Sequence, residues 1–428
     1  MRILLIGAGG VGDAVAKIAA KRNFFEHMVV SDYDQTRAEK TIAWIESKYG
    51  AEVAARFSAV KIDASNAASM AALISEQNID WVVNAVEPKF VPTIFAACYT
   101  AGVNYMDMAM SLSEAHEHDP FHKTGIKLGD AQYALNEQWQ RAGKLALIGM
   151  GVEPGLSNVF AKYAADHLFS EIDEVSIKDG GNLVVKNEAG EEIFAPSFSI
   201  WTTIEECLNP PTLFEKKKGW FTTEPFSEPE IFEFPEGIGA VECVNIEHEE
   251  ITMLPRTMNV GRVSFKYGLG ADFIGVLKTL HRLGLDATKL VRVRSALGPV
   301  EVAPRDVVAS VLPDPAFIGP RMTGKTCAGV LVTGKSKDGS PRATYIYHVA
   351  DNAETMAAIE AQAVVAQTAF NPLIALELIA QGVWEGVGVM GPEEFDPKPF
   401  LDLLSSSAGY QERWVAQERL ASSPLRHP

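Results

Sequence analysis

At 428 residues, 47% of them hydrophobic and 22% charged, the chain is long enough for two cores and apolar enough to fill both. A formal charge of −17 excludes the cationic face that nucleic acid or an anionic membrane demands. Cys98, Cys207, Cys243 and Cys327 form no C-x-x-C pair, which excludes a disulfide framework or zinc ribbon; with no leader-like segment and no run of roughly twenty apolar residues, a soluble cytoplasmic protein is expected.

The first element is an apolar strand, Ile3-Leu4-Leu5-Ile6, running into Gly7-Ala8-Gly9-Gly10-Val11-Gly12. The G-x-G-x-x-G spacing assigns Gly7 to the tight turn, Gly9 to the close approach of a pyrophosphate and Gly12 to helix–strand packing. The helix that follows, over 13–21, aims its free N-terminal amides at the phosphates, and Val11 sits among them. A second strand, 27–31, delivers Asp32 about twenty residues past the glycines, where a carboxylate meets the adenosine ribose and repels a 2′-phosphate. NAD is therefore favoured, with Arg37 near enough in sequence to leave NADP open. The third strand, 59–62, ends in Asp63-Ala64, a polar corner suited to the adenine. After a helix over 67–76, the buried strand 81–83 opens into Asn84-Ala85-Val86-Glu87-Pro88, the loop placed beside the nicotinamide. A helix over 91–101, strand 104–107, a helix over 131–142 and strand 144–149 complete a Rossmann, doubly wound parallel sheet of the α/β class.

Beyond Gly155 the texture changes to alternating apolar and polar segments separated by Pro and Gly clusters, as expected of a second, α+β domain on a mostly antiparallel sheet. Strands are predicted at 174–178, 251–254, 262–267, 329–334 and 343–350, and helices at 273–283 and 304–311. A long helical stretch, 355–381, is expected to break at Asn371-Pro372. Residues 393–404 form a last ordered segment before a loose polar tail.

With the fingerprint, Tyr105-Met106-Asp107, the turn Gly151-Val152-Glu153-Pro154-Gly155 followed by Leu156-Ser157-Asn158, His248-Glu249-Glu250, and the closing Gly386-Val387-Gly388-Val389-Met390-Gly391-Pro392-Glu393-Glu394-Phe395-Asp396, the chain resembles the saccharopine dehydrogenase family along essentially its whole length. The resemblance implies a homodimeric NAD(P)-dependent oxidoreductase acting at the C–N bond of an amino-acid-derived substrate. It also implies C-terminal helices folded back on the cofactor domain, which gives a dinucleotide-binding unit of 1–152 plus 361–428 and a substrate-binding and dimerisation unit of 153–360. Saccharopine is the first substrate it suggests, in lysine metabolism; lysine 6-dehydrogenase and carboxynorspermidine dehydrogenase are the related alternatives. Several members carry a cysteine where this chain has Gly149-Met150-Gly151, and Met150 exchanges no protons. A cofactor sensor without turnover is the reading from a different class, since fold does not fix function.

Oxidising an amine by hydride loss needs a neutral amine and a base. Asp107, at a strand end beside the nicotinamide, is the leading candidate, with amide capping as its other reading. Glu87 in the nicotinamide-side loop and His248, which titrates near neutrality, follow. Glu153 either meets substrate or favours a helix N-terminus. Arg256 and Lys266 are the cations available for a substrate carboxylate, Arg256 for its bidentate fork. Phe198, Trp201 and Trp220 are candidate cleft walls. No metal is expected, because His248 has no second histidine at helical spacing.

Overall fold

A computed structural model describes residues 1–296 and 298–420. β1 (Arg2–Ile6) is buried on both faces, a pattern that only a strand covered by helices on each side satisfies. It pairs in parallel with β2 (His27–Asp32) and β4 (Trp81–Asn84), and β3 (Phe57–Lys61), β5 (Asn104–Asp107) and β6 (Leu145–Leu147) extend the sheet in parallel. The order is strand Gly388–Met390, β6, β5, β4, β1, β2, β3, so the winding reverses between β1 and β4, where such sheets open their ligand crevice. The helices begin and end on capping chemistry: Asn66 accepts the Ser69 amide ahead of helix Ala67–Glu76, and Gly102, at φ 69°, closes helix Val91–Ala101.

The second sheet has nine strands. β7 (Phe169–Gly181) lies in its middle, parallel to strand Val260–Gly268 and antiparallel to strand Lys325–Ser336. The remaining pairings are antiparallel, as the alternating segments led one to expect.

Four expectations are corrected. Residues 251–254 belong to helix Glu250–Thr257, not to a strand; all four are buried, and Ile251-Thr252-Met253-Leu254 is too short a run to show a period that tells helix from strand. The helix over 131–142 is two short ones, Asp130–Tyr133 and Asn136–Arg141. The break in the long C-terminal stretch falls at Glu360–Gln362, between helices Asn352–Ile359 and Ala363–Ala380, while Pro372 is carried through. The Asn371 side-chain amide donates to the Gln367 and Thr368 carbonyls at 2.8 and 3.4 Å, and Thr368 is the residue whose helical partner proline removes. The polar tail is in part a strand, Trp414–Arg419, paired with strand Pro341–Asp351; residues 421–428 lie outside the described residues. Helix Ala363–Ala380 is long and apolar enough to cross a membrane, but it is 83% buried and packs against α1 (Gly10–Ala19). All four cysteines are free and buried.

Candidate active site

The glycine turn is built as its spacing demands. A Cβ on Gly12 would stand 1.8 Å from the Gly7 carbonyl oxygen, and one on Gly7 would stand 2.6 Å from that of Ala85. Gly9 faces open space, with nothing within 4 Å of its Cβ position. α1 has no side-chain cap, so its first amides are free to meet an anion. This cradle fits a dinucleotide pyrophosphate.

A cavity of about 860 Å³ starts at Gly9, Gly10 and Val11 and runs between the two sheets. Asn84, Ala85 and Glu87 line it, as expected for the nicotinamide side, and Tyr33 and Arg37 line it too, the guanidinium 5.5 Å from the Tyr33 ring. Asp32 is buried, its two oxygens accepting the Ala8 and Asp34 amides at 2.8 and 3.0 Å, a clamp that fixes the glycine turn. Asp63 is exposed and accepts Ser65; neither it nor Ala64 lines the cavity.

The far half of the cavity is acidic. Glu153 comes from the turn after β6, Asp179 from β7, Glu206 from helix Ile200–Leu208, and His248 and Glu249 from the loop before helix Glu250–Thr257. Strand alternation turns Asp179 into the cleft and Lys178 away from it, toward Glu230. Tyr267, in register with Asp179 on the neighbouring strand, adds a cleft wall with Phe198 and Trp201.

His248 is the anchored member of the group. Its Nδ1 lies 2.6 Å from Glu250, which also accepts the Ser157 hydroxyl at 2.6 Å, and its ring stacks on Phe265 at 3.8 Å. Burial disfavours the imidazolium, but Glu250, Glu249 and Glu206 outweigh burial and hold its pKa up at about 10. Burial pushes the Asp179 carboxyl up to about 6 and Glu206 up to about 8, and drives Glu153 well above the carboxylate range, with Asp179 and Glu250 adding to it. Glu153 and Asp179 interact carboxyl to carboxyl, and Glu249 Oε2 lies 3.3 Å from His248 Nδ1. Glu206, His248 and Glu249 each place a donor atom within 4.8 Å of the others, so the spacing admits a cation. A histidine held protonated cannot ligate a metal until it loses that proton, whereas an ammonium group needs only the carboxylates.

Three sequence candidates stand elsewhere. Asp107 is fully buried behind the cleft, accepting Gly149 N at 2.6 Å, Gln132 Nε2 at 2.8 Å and Tyr105 Oη at 2.9 Å; its neighbours Met108 and Ala109 reach the cavity in its place. Arg256 pairs with Asp130 at 2.7 Å and lies over Tyr133 and, with Trp220, outside the cavity. Lys266 is held by Glu228 and Glu230. Sequence reading missed Asp179 and Glu206, which carry no local motif and meet only through the fold. Asp107→Asn is expected to cost stability, about 2 kcal/mol for a disturbed buried acceptor, and to leave the KM for amine within about threefold. A thermal melt beside steady-state kinetics checks this, and a thousandfold fall in kcat would return Asp107 to the chemistry.

Residues 3–147 match the family model described as the saccharopine dehydrogenase NADP binding domain, and residues 151–410 match the saccharopine dehydrogenase C-terminal domain. The chain is 31% identical over 429 residues to carboxynorspermidine synthase of Vibrio alginolyticus, covering 100% of this chain and 99% of that one. It is 26% identical over 406 residues to carboxyaminopropylagmatine dehydrogenase of Synechocystis sp., covering 94% and 95%. Its fold is similar to that of apo saccharopine dehydrogenase (L-Glu forming) from Saccharomyces cerevisiae, with a TM-score of 0.64 at 12% identity over 98% of this chain and 99% of that one.

Proposed function

The chain belongs to the saccharopine dehydrogenase family, and from that premise we propose that it is an NAD(P)-dependent oxidoreductase whose C–N bond substrate is a carboxylated polyamine, not saccharopine. The enzyme class and the amine substrate follow from the family and the full-length relatives. The finer choice is carried by one observation: Glu153, Asp179, Glu206 and Glu249 line the substrate half, while Arg256 and Lys266 are engaged elsewhere. A polyamine brings the cations that draw these raised carboxyls into ionised pairs, whereas saccharopine brings further carboxylates that find few cations here. Among the described lining residues the only Lys and Arg are Arg37, toward the cofactor turn, and Lys89, paired with Glu87 at 2.6 Å and lying over Trp201. Lys89 suits the single carboxylate of such a substrate.

When bound, the nicotinamide supplies or accepts the hydride. The residues of the chain do the rest. Gly9, Gly10 and Val11 hold the phosphates, and Arg37 is placed for a 2′-phosphate, which supports NADP beside NAD. His248, cationic and steadied by Glu250 and Ser157, is positioned to give a proton to the departing or forming amine, and Glu153, kept neutral by burial, to exchange one with water. The cofactor unit in this reading is 1–152 with 361–428, although strand Trp414–Arg419 crosses to the other sheet.

The test is nicotinamide reduction at alkaline pH with carboxynorspermidine, saccharopine and lysine, each with NAD and NADP. The expected result is a kcat/KM for carboxynorspermidine at least about 100-fold above saccharopine, unchanged by EDTA. A preference for saccharopine would overturn the polyamine reading, and cofactor binding without turnover on any amine would favour the sensor.

A further inference from the structure

We infer that the chain has a second ligand site, built for a small molecule that carries both an ammonium group and a carboxylate, and that this site acts on cofactor affinity through two shared helices. A cavity of about 360 Å³ lies between the end of α1, helix Asn352–Ile359, helix Ala363–Ala380 and the loop at 409–412, and it shares no lining residue with the active-site cavity. Its volume falls within the roughly 300–1,000 Å³ of small-molecule sites.

The walls of this cavity are held in place. Arg22 donates to both oxygens of Glu377, at 2.6 and 2.9 Å, and to the Ala408 and Gly409 carbonyls at 2.9 and 3.0 Å, so its charge is already matched and serves to fix the loop. Buried His348 accepts Gln367 Nε2 at Nδ1, 2.9 Å away, which leaves its Nε2–H to donate to Glu412 at 3.0 Å and sets a carboxylate on the cavity wall. Ile18, Ala366 and Phe370 supply an apolar floor. Two charged side chains are left for a ligand. Among the described residues Lys21 makes neither an ion pair nor a hydrogen bond and comes no nearer than 6.0 Å to the Tyr49 ring, and the Glu354 carboxylate has no partner. Asp351, beside Glu354, accepts the Ala353 amide at 2.8 Å and stands 3.9 Å from Lys325. A dianion would face Asp351, Glu354 and Glu412 as like charge, and a plain diamine would leave Lys21 facing a second cation. One molecule with both signs satisfies the two walls together.

The same two helices carry both cavities. α1 opens at Gly10 and Val11 in the active-site cavity and ends at Ile18, Lys21 and Arg22 in the second one. Helix Ala363–Ala380 gives Val364, Val365 and Thr368 to the first and Ala366 and Phe370 to the second, and at 3.6 residues per turn these two sets fall on opposite faces of the helix. A ligand that braces the last turn of α1 therefore acts on the element whose first amides meet the pyrophosphate. Because coupling between sites is reciprocal, the cofactor changes the affinity of that ligand by the same factor. The site is independent of which amine is oxidised.

Hydrogen exchange on the full-length protein with NADP bound tests the site, with L-ornithine as the probe and putrescine and butyrate as its amine-only and carboxylate-only controls. Millimolar ornithine is expected to slow exchange at 350–360 and 408–412. Lys21→Met and Glu354→Gln, both at exposed positions, are each expected to weaken that effect about tenfold, the equivalent of ~1.4 kcal/mol, and to leave kcat unchanged. Saturating ornithine is expected to change the NADP dissociation constant by about fivefold or more, a shift that both variants lose. No protection of these segments, protection that survives both variants, or putrescine or butyrate acting as well as ornithine overturns the site. Protection without a change in the NADP constant overturns the coupling.

Discussion

Glu206→Gln is expected to lower kcat/KM for a polyamine substrate by about 100-fold, near the low end of the ~3–5 kcal/mol that removing one partner of a buried charge pair costs, with dinucleotide affinity unchanged. The pH dependence sharpens the expectation. Burial lifts Asp179 to about 6 and Glu206 to about 8, so both are largely neutral at pH 5 and charged by pH 9. A bound ammonium favours their charged forms, so binding releases protons, and KM falls as pH rises through this range until the amine itself loses its proton near ~10. The unliganded protein behaves in the opposite sense. Its folded carboxyls hold protons that the unfolded chain releases near pH 4, and His248, raised to about 10, keeps a proton that the unfolded chain gives up near 6.5. Both make the folded state the more protonated one, so stability falls from about pH 4 to pH 10. Glu206→Gln is therefore expected to melt higher than wild type at pH 8 while turning over more slowly, a pairing that a merely structural glutamate would not give. Calorimetry at pH 6 and pH 8 beside kcat/KM measures both; a variant that is less stable at pH 8, or as active as wild type, removes Glu206 from the cation site.

Gly12→Ala is expected to abolish dinucleotide binding, raising Kd by more than about 100-fold. Its Cβ would overlap the Gly7 carbonyl oxygen at 1.8 Å, a backbone atom that cannot swing aside, so α1 must lift from the strand end and take its amides with it. The neighbouring Gly9→Ala separates packing from binding. Its Cβ meets no protein atom within 4 Å, and the backbone φ of −75° suits alanine. Gly9→Ala is expected to melt as wild type does yet lose about tenfold or more in affinity, because the methyl occupies the approach of the pyrophosphate. Titration of nicotinamide fluorescence with a thermal melt reads both variants. Wild-type affinity in Gly9→Ala would place the phosphates elsewhere.

The cofactor half was legible in the chain because its signals are local. Gly7 to Gly12 constrain their own turn, and the helices read at 67–76 and 91–101 stand at Ala67–Glu76 and Val91–Ala101, with Gly102 closing the second. The acidic end of the cleft was not legible. Asp179 falls one residue past the strand read at 174–178 and Glu206 in a stretch given no element, and only the fold brings them to Glu153 and His248. Asp107 shows the complementary case: a carboxylate at the end of a parallel strand suits catalysis by position, while the structure sets it behind the cleft, its oxygens accepting from Gly149, Gln132 and Tyr105. Arg256 and Lys266 were chosen for their charge type, and charge type says nothing of partners already at hand, Asp130 for one and Glu230 for the other.

Strand Gly388–Met390 completes the parallel sheet at the edge of β6, and helix Ala363–Ala380 covers α1. During synthesis the glycine turn emerges before strand Gly388–Met390 and helix Ala363–Ala380, so β6 stays an open edge and α1 stays uncovered until those later elements have been made. The half that is encoded first is thus finished last, and a gene truncated after residue 152 would yield not a small nucleotide-binding protein but a sheet with an adhesive margin.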